Sequence, residues 1–235
     1  MIRAGPAGPF FEVIIMELGP FHGRDLEVSV RSEPYTGAVV AGERDAAVLK
    51  ALCECGVLSG NQVRKYLGVE KLRPMERLVR KGIVDAYAFN AAPPVYALGR
   101  GGAEILDVPY RRYGKLELLR LVAANQLWLW LKKAWPDASW DASWEYPVLT
   151  RDGREYLVAA PRLVSGESVY VARAFALSGR VFVVAAAKEQ AEEFPLPPEP
   201  EMVRYTWDAL LKDGLSFYRL DGGFLVPDRP LAAVG

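Results

Sequence analysis

The spacing of apolar positions along the chain changes period several times, and each change predicts an element. Residues 10–16 (Phe-Phe-Glu-Val-Ile-Ile-Met) and 26–30 (Leu-Glu-Val-Ser-Val) are short β-prone runs on either side of the turn-rich Gly19-Pro20-Phe21-His22-Gly23. They predict a hairpin within an amino-terminal extension over residues 1–42. From Glu43 the period becomes helical, with Ala46, Ala47, Leu49 and Leu52 on a first helix that stops at Gly56. Ser59 and Gln62 stand at capping-box spacing, so a second helix runs over 61–67, with Val63, Tyr66 and Leu67 inward and Gly68 at its end. A third helix is expected over 71–81, where Leu72, Met75, Leu78 and Val79 form one stripe; Pro74 is acceptable there only within the first turn. Gly82 closes it. Residues 83–89 and 95–98 then read as two strands around Asn90-Ala-Ala-Pro-Pro94.

Beyond Gly99 a short helix over 103–106 precedes a long one over about 115–135. Leu116, Leu119, Val122, Ala123, Leu127, Trp128 and Leu131 make it apolar on more than one face. It is therefore expected to be buried on several sides, between two domains or against a second copy of the chain in a homodimer. After Pro136 the pattern predicts three strands, over 144–149, 154–160 and 168–175, with Arg151-Asp152-Gly153 as the first turn. A fourth strand over 181–186 leads to a helix over 188–194, and a strand over 203–206 to a helix over 207–212. The expected fold is α+β: a winged helix-turn-helix domain over 43–110, followed by a mixed-sheet α/β domain over 111–235.

Composition narrows the chemistry. The chain has 235 residues, 51% hydrophobic and 25% charged, with 29 basic and 29 acidic side chains, so it can bury a core and carries no global field toward nucleic acid or anionic lipid. No apolar run is long enough for a membrane span, and the amino terminus lacks a signal-peptide layout, which points to a cytoplasmic protein. Two cysteines, Cys53 and Cys55, and one histidine, His22, do not make a zinc cluster. The cysteines read as small apolar residues of a helix, and His22 as a surface loop residue.

Charge is nevertheless unevenly distributed. Between Asn61 and Lys81 seven basic residues (Arg64, Lys65, Lys71, Arg73, Arg77, Arg80, Lys81) face two acidic ones, Glu70 and Glu76. Such a stripe neutralises phosphates, and the third helix of a winged helix enters the major groove. The expected partner is double-stranded DNA. Arg73 and Arg77 are the candidates for guanine and Lys71 and Arg80 for groove or phosphate contacts, and Asn61, Arg64 and Lys81 complete the candidate DNA-binding set. Such a role calls for no cofactor.

The helix-turn-helix followed by Val95-Tyr-Ala-Leu-Gly-Arg-Gly-Gly-Ala-Glu-Ile-Leu106, the long helix, the Glu145-containing run and Val203-Arg-Tyr-Thr-Trp-Asp-Ala-Leu-Leu-Lys-Asp-Gly214 resemble the replication-relaxation family over residues 43 to about 214. The resemblance implies a winged helix joined to a domain like the PD-(D/E)xK restriction-endonuclease core, acting in plasmid or mobile-element replication or transfer. Cleavage by such a core requires carboxylates converging on Mg²⁺, with a lysine. Here Ala160-Pro161-Arg162 and Ala172-Arg173-Ala174 occupy the expected motif positions, so no metal and no catalytic residues are expected; Arg162 and Arg173 are candidate phosphate contacts, the alternative being plain surface arginines on edge strands. Glu145, Asp152, Glu155 and Glu167 lie near the meander but off the required spacing, which leaves a nuclease as the weakest reading. The other competing reading is a winged-helix transcriptional regulator whose carboxy-terminal domain dimerises or senses a ligand through Trp128, Trp130, Trp135, Trp140 and Trp144. Packing is the commoner use of such a cluster. Pro195-Leu-Pro-Pro-Glu-Pro200 is read as a stiff spacer.

Overall fold

The computed structural model describes residues 19–23, 25–35, 37, 42–68 and 73–228. Among them are eight α-helices and two β-sheets. Strand β1 (Val28–Arg31) pairs antiparallel with β3, so the second run of the expected amino-terminal hairpin joins the first sheet; residues 10–16 lie outside the described part. Helix α1 (Glu43–Cys55) ends at Gly56. It is followed by a three-residue strand that local pattern did not predict, β2 (Val57–Ser59). Helix α2 (Gly60–Leu67) carries the expected capping box, in which Gln62 N donates to Ser59 Oγ and Ser59 N to Gln62 Oε1. Helix α3 (Arg73–Arg80) places Pro74 in its first turn, where the missing N–H costs nothing. Gly82 turns the chain at φ 67° beside the backbone of Glu33 and Pro34, a position that a Cβ would obstruct. Strands β3 (Val84–Phe89) and β4 (Val95–Leu98) form the expected hairpin, and the first sheet has the order β1-β3-β4-β2.

Helix α4 (Arg100–Leu106) begins three residues earlier than its apolar pattern suggested, because Arg100, Gly101 and Gly102 join its first turn. Helix α5 (Lys115–Ala134) leads into β5 (Ser139–Asp141), β6 (Val148–Arg151) and β7 (Arg154–Ala159), an antiparallel meander. Residues 168–175, expected as the third strand, are helical: α6 spans Glu167–Leu177. Its buried residues Glu167, Tyr170, Val171, Ala174 and Phe175 follow the 3.6-residue period, which outweighs the β propensity of Val169, Tyr170 and Val171. Strand β8 (Val181–Ala185), helix α7 (Lys188–Glu192), strand β9 (Val203–Trp207) and helix α8 (Asp208–Asp213) complete the parallel part. A final hairpin, β10 (Tyr218–Asp221) and β11 (Phe224–Pro227), was not expected. The second sheet is mixed, in the order β11-β10-β9-β8-β7-β6-β5.

Helix α5 joins the two halves. Leu118, Leu119, Leu127 and Leu131 are fully buried, each contributing about 1.5–3 kcal/mol, and one continuous core runs from Val48 through this helix to Phe217. Its polar side chains are used in both directions. Toward the first half, Asn125 Nδ2 donates to the carbonyls of Cys55 (2.9 Å) and Val57 (2.6 Å), and Val122 O accepts from Gln62 Nε2 (2.7 Å). Glu54 of α1 accepts from Lys132 Nζ at 2.7 and 3.0 Å, from Trp128 Nε1 at 2.9 Å and from Tyr66 Oη at 2.5 Å. Toward the second half, Gln126 Nε2 and Trp130 Nε1 donate to Leu211 O at 3.2 and 2.8 Å.

Two predictions follow from this helix. Asn125→Ala leaves two buried carbonyls without their donor, so urea denaturation should show a loss of about 2–3 kcal/mol. Burial alone would raise the Glu54 carboxyl, but the hydrogen bonds from Lys132, Tyr66 and Trp128 outweigh it and hold the group below the usual carboxylate range. A lowered folded-state pKa gives stability that is present above the unfolded value of about 4.3 and is lost as pH falls through the folded value. Glu54→Gln should therefore cost roughly 1–2 kcal/mol near neutral pH, allowing for partial solvent screening, and the gap to the native chain should close below about pH 4. An unchanged gap at low pH would remove the charge of Glu54 from the account.

Candidate nucleic-acid interface

The expected DNA-facing residues were re-sorted by their tertiary partners. On α2, the capping box sets the helix start, and Asn61, Arg64 and Lys65 fall on its exposed side. The amide of Gly60 donates to Pro94 O at 2.9 Å, which ties this start to the hairpin turn. On α3, Met75, Leu78 and Val79 are buried and Arg80 is exposed, with Lys81 half-buried just beyond. Lys71 and the side chain of Arg73 lie outside the described part. Arg77, a candidate for guanine, is committed elsewhere: its Nη2 reaches both oxygens of the buried Asp45 on α1, at 2.5 and 2.6 Å. Glu76, exposed on α3, pairs at 3.5 Å with Arg31 of β1, which also pairs with Glu33 at 3.1 Å. The hairpin turn Asn90-Ala-Ala-Pro-Pro94 carries no cation, and a phosphate contact there would have to use the Asn90 amide or the backbone.

Asn61, Arg64 and Lys65 also line a cleft of about 500 Å³ between α2, α5, α8 and residues 19–21, with Val122 and Lys212 in its lining. Lys65 and Lys133 flank the Trp130 ring at 5.6 and 5.4 Å from its centre. Lys133 and Lys212 belong to this basic face but were missed, because they lie more than fifty residues from the basic stripe and only the packing of α5 and α8 brings them near it.

Neither candidate phosphate arginine sits on an edge strand. Arg162 is completely buried. Its Nη1 pairs with Asp208 at 2.9 and 3.1 Å, its Nη2 donates to Val184 O at 2.6 Å and its Nε to Ala160 O at 3.3 Å, so it has a structural role and cannot reach a phosphate. Arg173 is on the outer side of α6, paired with Glu145 at 3.2 Å with both groups well exposed. The acidic residues weighed for a nuclease do not converge: Asp152 is in the β6–β7 turn beside Arg151, Glu155 is exposed on β7, and Glu167 is buried against Arg120 and the Arg162 amide. Among the described residues no group of three or more histidine, cysteine or carboxylate side chains could hold a metal ion.

The tryptophans divide by role. Trp128 and Trp140 stack at 5.4 Å in the core, and Trp135 lies under Arg151 at 4.3 Å, which is packing; Trp144 is exposed. Cys53 is exposed and Cys55 is buried, both as free thiols. His22 is half-buried, and its carbonyl accepts from the Leu163 amide at 2.7 Å. No helix among the described residues is long and apolar enough to cross a membrane.

Comparison with protein-family models, with curated proteins and with solved structures finds no match.

The two arginines should separate cleanly. Arg162→Leu strands Asp208 as an unpaired buried charge and should cost about 3–5 kcal/mol, whereas Arg173→Ala should stay within about 0.5 kcal/mol of the native chain. Thermal unfolding measures both, and equal effects would contradict the buried-pair assignment.

Proposed function

We propose that residues 43–98 form a winged helix-turn-helix that binds double-stranded DNA, within a non-catalytic DNA-binding protein of a plasmid or mobile element acting in replication, transfer or their regulation. The observation that carries this reading is that Arg64 and Lys65 of α2 and Arg80 at the end of α3 are exposed, on a helix-strand-helix-helix-hairpin unit in a chain of zero net charge. A neutral protein has no long-range pull on DNA, so local cations such as these on α2 and α3 are what would supply phosphate affinity.

The resemblance to the replication-relaxation family supports the mobile-element assignment. It implies that the second half is nuclease-like, and the meander β5–β7 followed by α6 and the parallel strand β8 is compatible with that reading. Strand β7 ends in the buried Val158-Ala159, and the two carboxylates near that end, Glu167 and Asp208, are taken by Arg120 and Arg162, which leaves neither open to a metal. A ligand-sensing regulator remains a second reading. The 500 Å³ cleft favours it over the tryptophan cluster, because the cleft touches α2 directly while Trp128 and Trp140 are packed away.

Fluorescence anisotropy against random duplex DNA at two salt concentrations tests the main reading. Salt-sensitive binding is expected, and Arg64→Ala and Arg80→Ala should each weaken it and lower the salt slope by about 1. Arg77→Ala should instead lower stability by roughly 1–2 kcal/mol, because it removes the partner of the buried Asp45 from a half-exposed pair. Absence of duplex binding at low salt would overturn the proposal.

A further inference from the structure

The cleft beside α2 combines an apolar lining with a surplus of positive charge. Its residues come from α2, α5, α8 and the segment 19–21, so no single element supplies it. Its volume of about 500 Å³ falls within the roughly 300–1,000 Å³ typical of small-molecule sites. Pro20, Phe21, Val122, Ala123 and Ala209 are its apolar part.

The neutral and acidic polar groups of the lining are engaged. Gln62 uses both ends of its amide, donating to Val122 O at 2.7 Å and accepting from Ser59 N at 2.9 Å. Gln126 donates to Leu211 O at 3.2 Å. Asp208, the one carboxylate among the described lining residues, is bound by Arg162 Nη1 at 2.9 and 3.1 Å. The cations differ. Arg77, Arg120 and Arg162 each hold a carboxylate, whereas Arg64 and Lys65 are exposed and neither has a carboxylate partner among the described residues. Lys65 lies instead 5.6 Å from the centre of the Trp130 ring, beside a second cation, Lys133, at 5.4 Å. Lys212 is a third cation in the lining.

These features select a guest by elimination. A metal ion is repelled by the cations and finds no open carboxylate. A bare inorganic anion would leave the apolar lining in water, and an uncharged guest would leave the positive charge unused. We propose that the cleft receives a small amphipathic monocarboxylate, its apolar body against Pro20, Phe21, Val122 and Ala209 and its carboxylate within reach of Arg64 and Lys65. The guanidinium fork of Arg64 matches a planar carboxylate, and removing the apolar body from water supplies the rest of the affinity. The proposal rests on the ligand-sensing reading and names its ligand; duplex binding is not required for it.

The test is isothermal titration calorimetry of the full chain with three probes: 4-phenylbutyrate, its neutral counterpart 4-phenylbutanamide, and acetate, which has the charge without the body. 4-Phenylbutyrate should bind about tenfold more tightly than either control, and added salt should weaken it. Arg64→Gln should weaken it about fivefold, and Ala209→Leu, which adds bulk to the lining, should weaken both the carboxylate and the amide. Arg173→Gln, outside the lining, should change nothing; a thermal melt checks that all three variants fold. Equal affinity for the amide would overturn the proposal while leaving an uncharged ligand to the ligand-sensing reading. Acetate binding as tightly as 4-phenylbutyrate would overturn it by marking a plain anion site. Binding that Arg64→Gln and Ala209→Leu leave unaltered would place the carboxylate elsewhere and overturn it too. If none of the three probes binds, the proposal and the ligand-sensing reading fall together.

Discussion

Helix α5 is the constraint on which the other elements depend. A helix apolar on nearly every side has to be enclosed, and here the first half covers one side and the second sheet the other. Its polar side chains then complete its neighbours. The carbonyl of Cys55, one of the orphan acceptors at the end of α1, and that of Val57 at the start of β2 are both satisfied by Asn125. A three-residue strand such as β2 has little pairing of its own, and this contact together with its ladder to β4 makes it part of the sheet. The placement of α2, and with it of Arg64 and Lys65, therefore derives from α5 as much as from α1 and β2.

The Arg162 network performs a comparable task in the second half. A buried guanidinium satisfied by Asp208, Val184 O and Ala160 O joins the ends of β7 and β8 to the start of α8. Gln190 of α7 donates to Arg162 O at 2.7 Å and accepts from the Ala186 amide at 2.8 Å. The neighbouring Leu163 amide bonds the His22 carbonyl, so the segment before β1 is held against the second half. A buried pair of this kind is weak evidence for net stability, but it demands one arrangement of the loops around it.

Charge is spent internally to a degree that counting conceals. Of the seven cations of the basic stripe, Arg77 belongs to Asp45, and Lys65 shares the ring of Trp130 with Lys133 of α5. The exposed cations that remain among the described residues of the stripe are Arg64 and Lys65 of α2 and Arg80 of α3, and the hairpin turn adds no charge.

What the sequence determined by itself was whatever rests on contacts within a turn or two: the capping box at Ser59 and Gln62, the stops at Gly56 and Gly82, the β3–β4 hairpin, the length of α5 and its burial on several sides. Where two local periods competed, as in α6, the β-branched residues suggested a strand and the core chose the helix. The β10–β11 hairpin had its turn signal in Asp221-Gly222-Gly223 but too little apolar alternation to be read. Tertiary structure alone decided that β1 joins the first sheet, that Arg77 and Arg162 are structural, and that Arg64, Val122 and Lys212 share one cleft. The reason is physical: the partner of a charged side chain is set by which surfaces are buried against each other, and that depends on residues dozens of positions away, beyond the reach of local spacing.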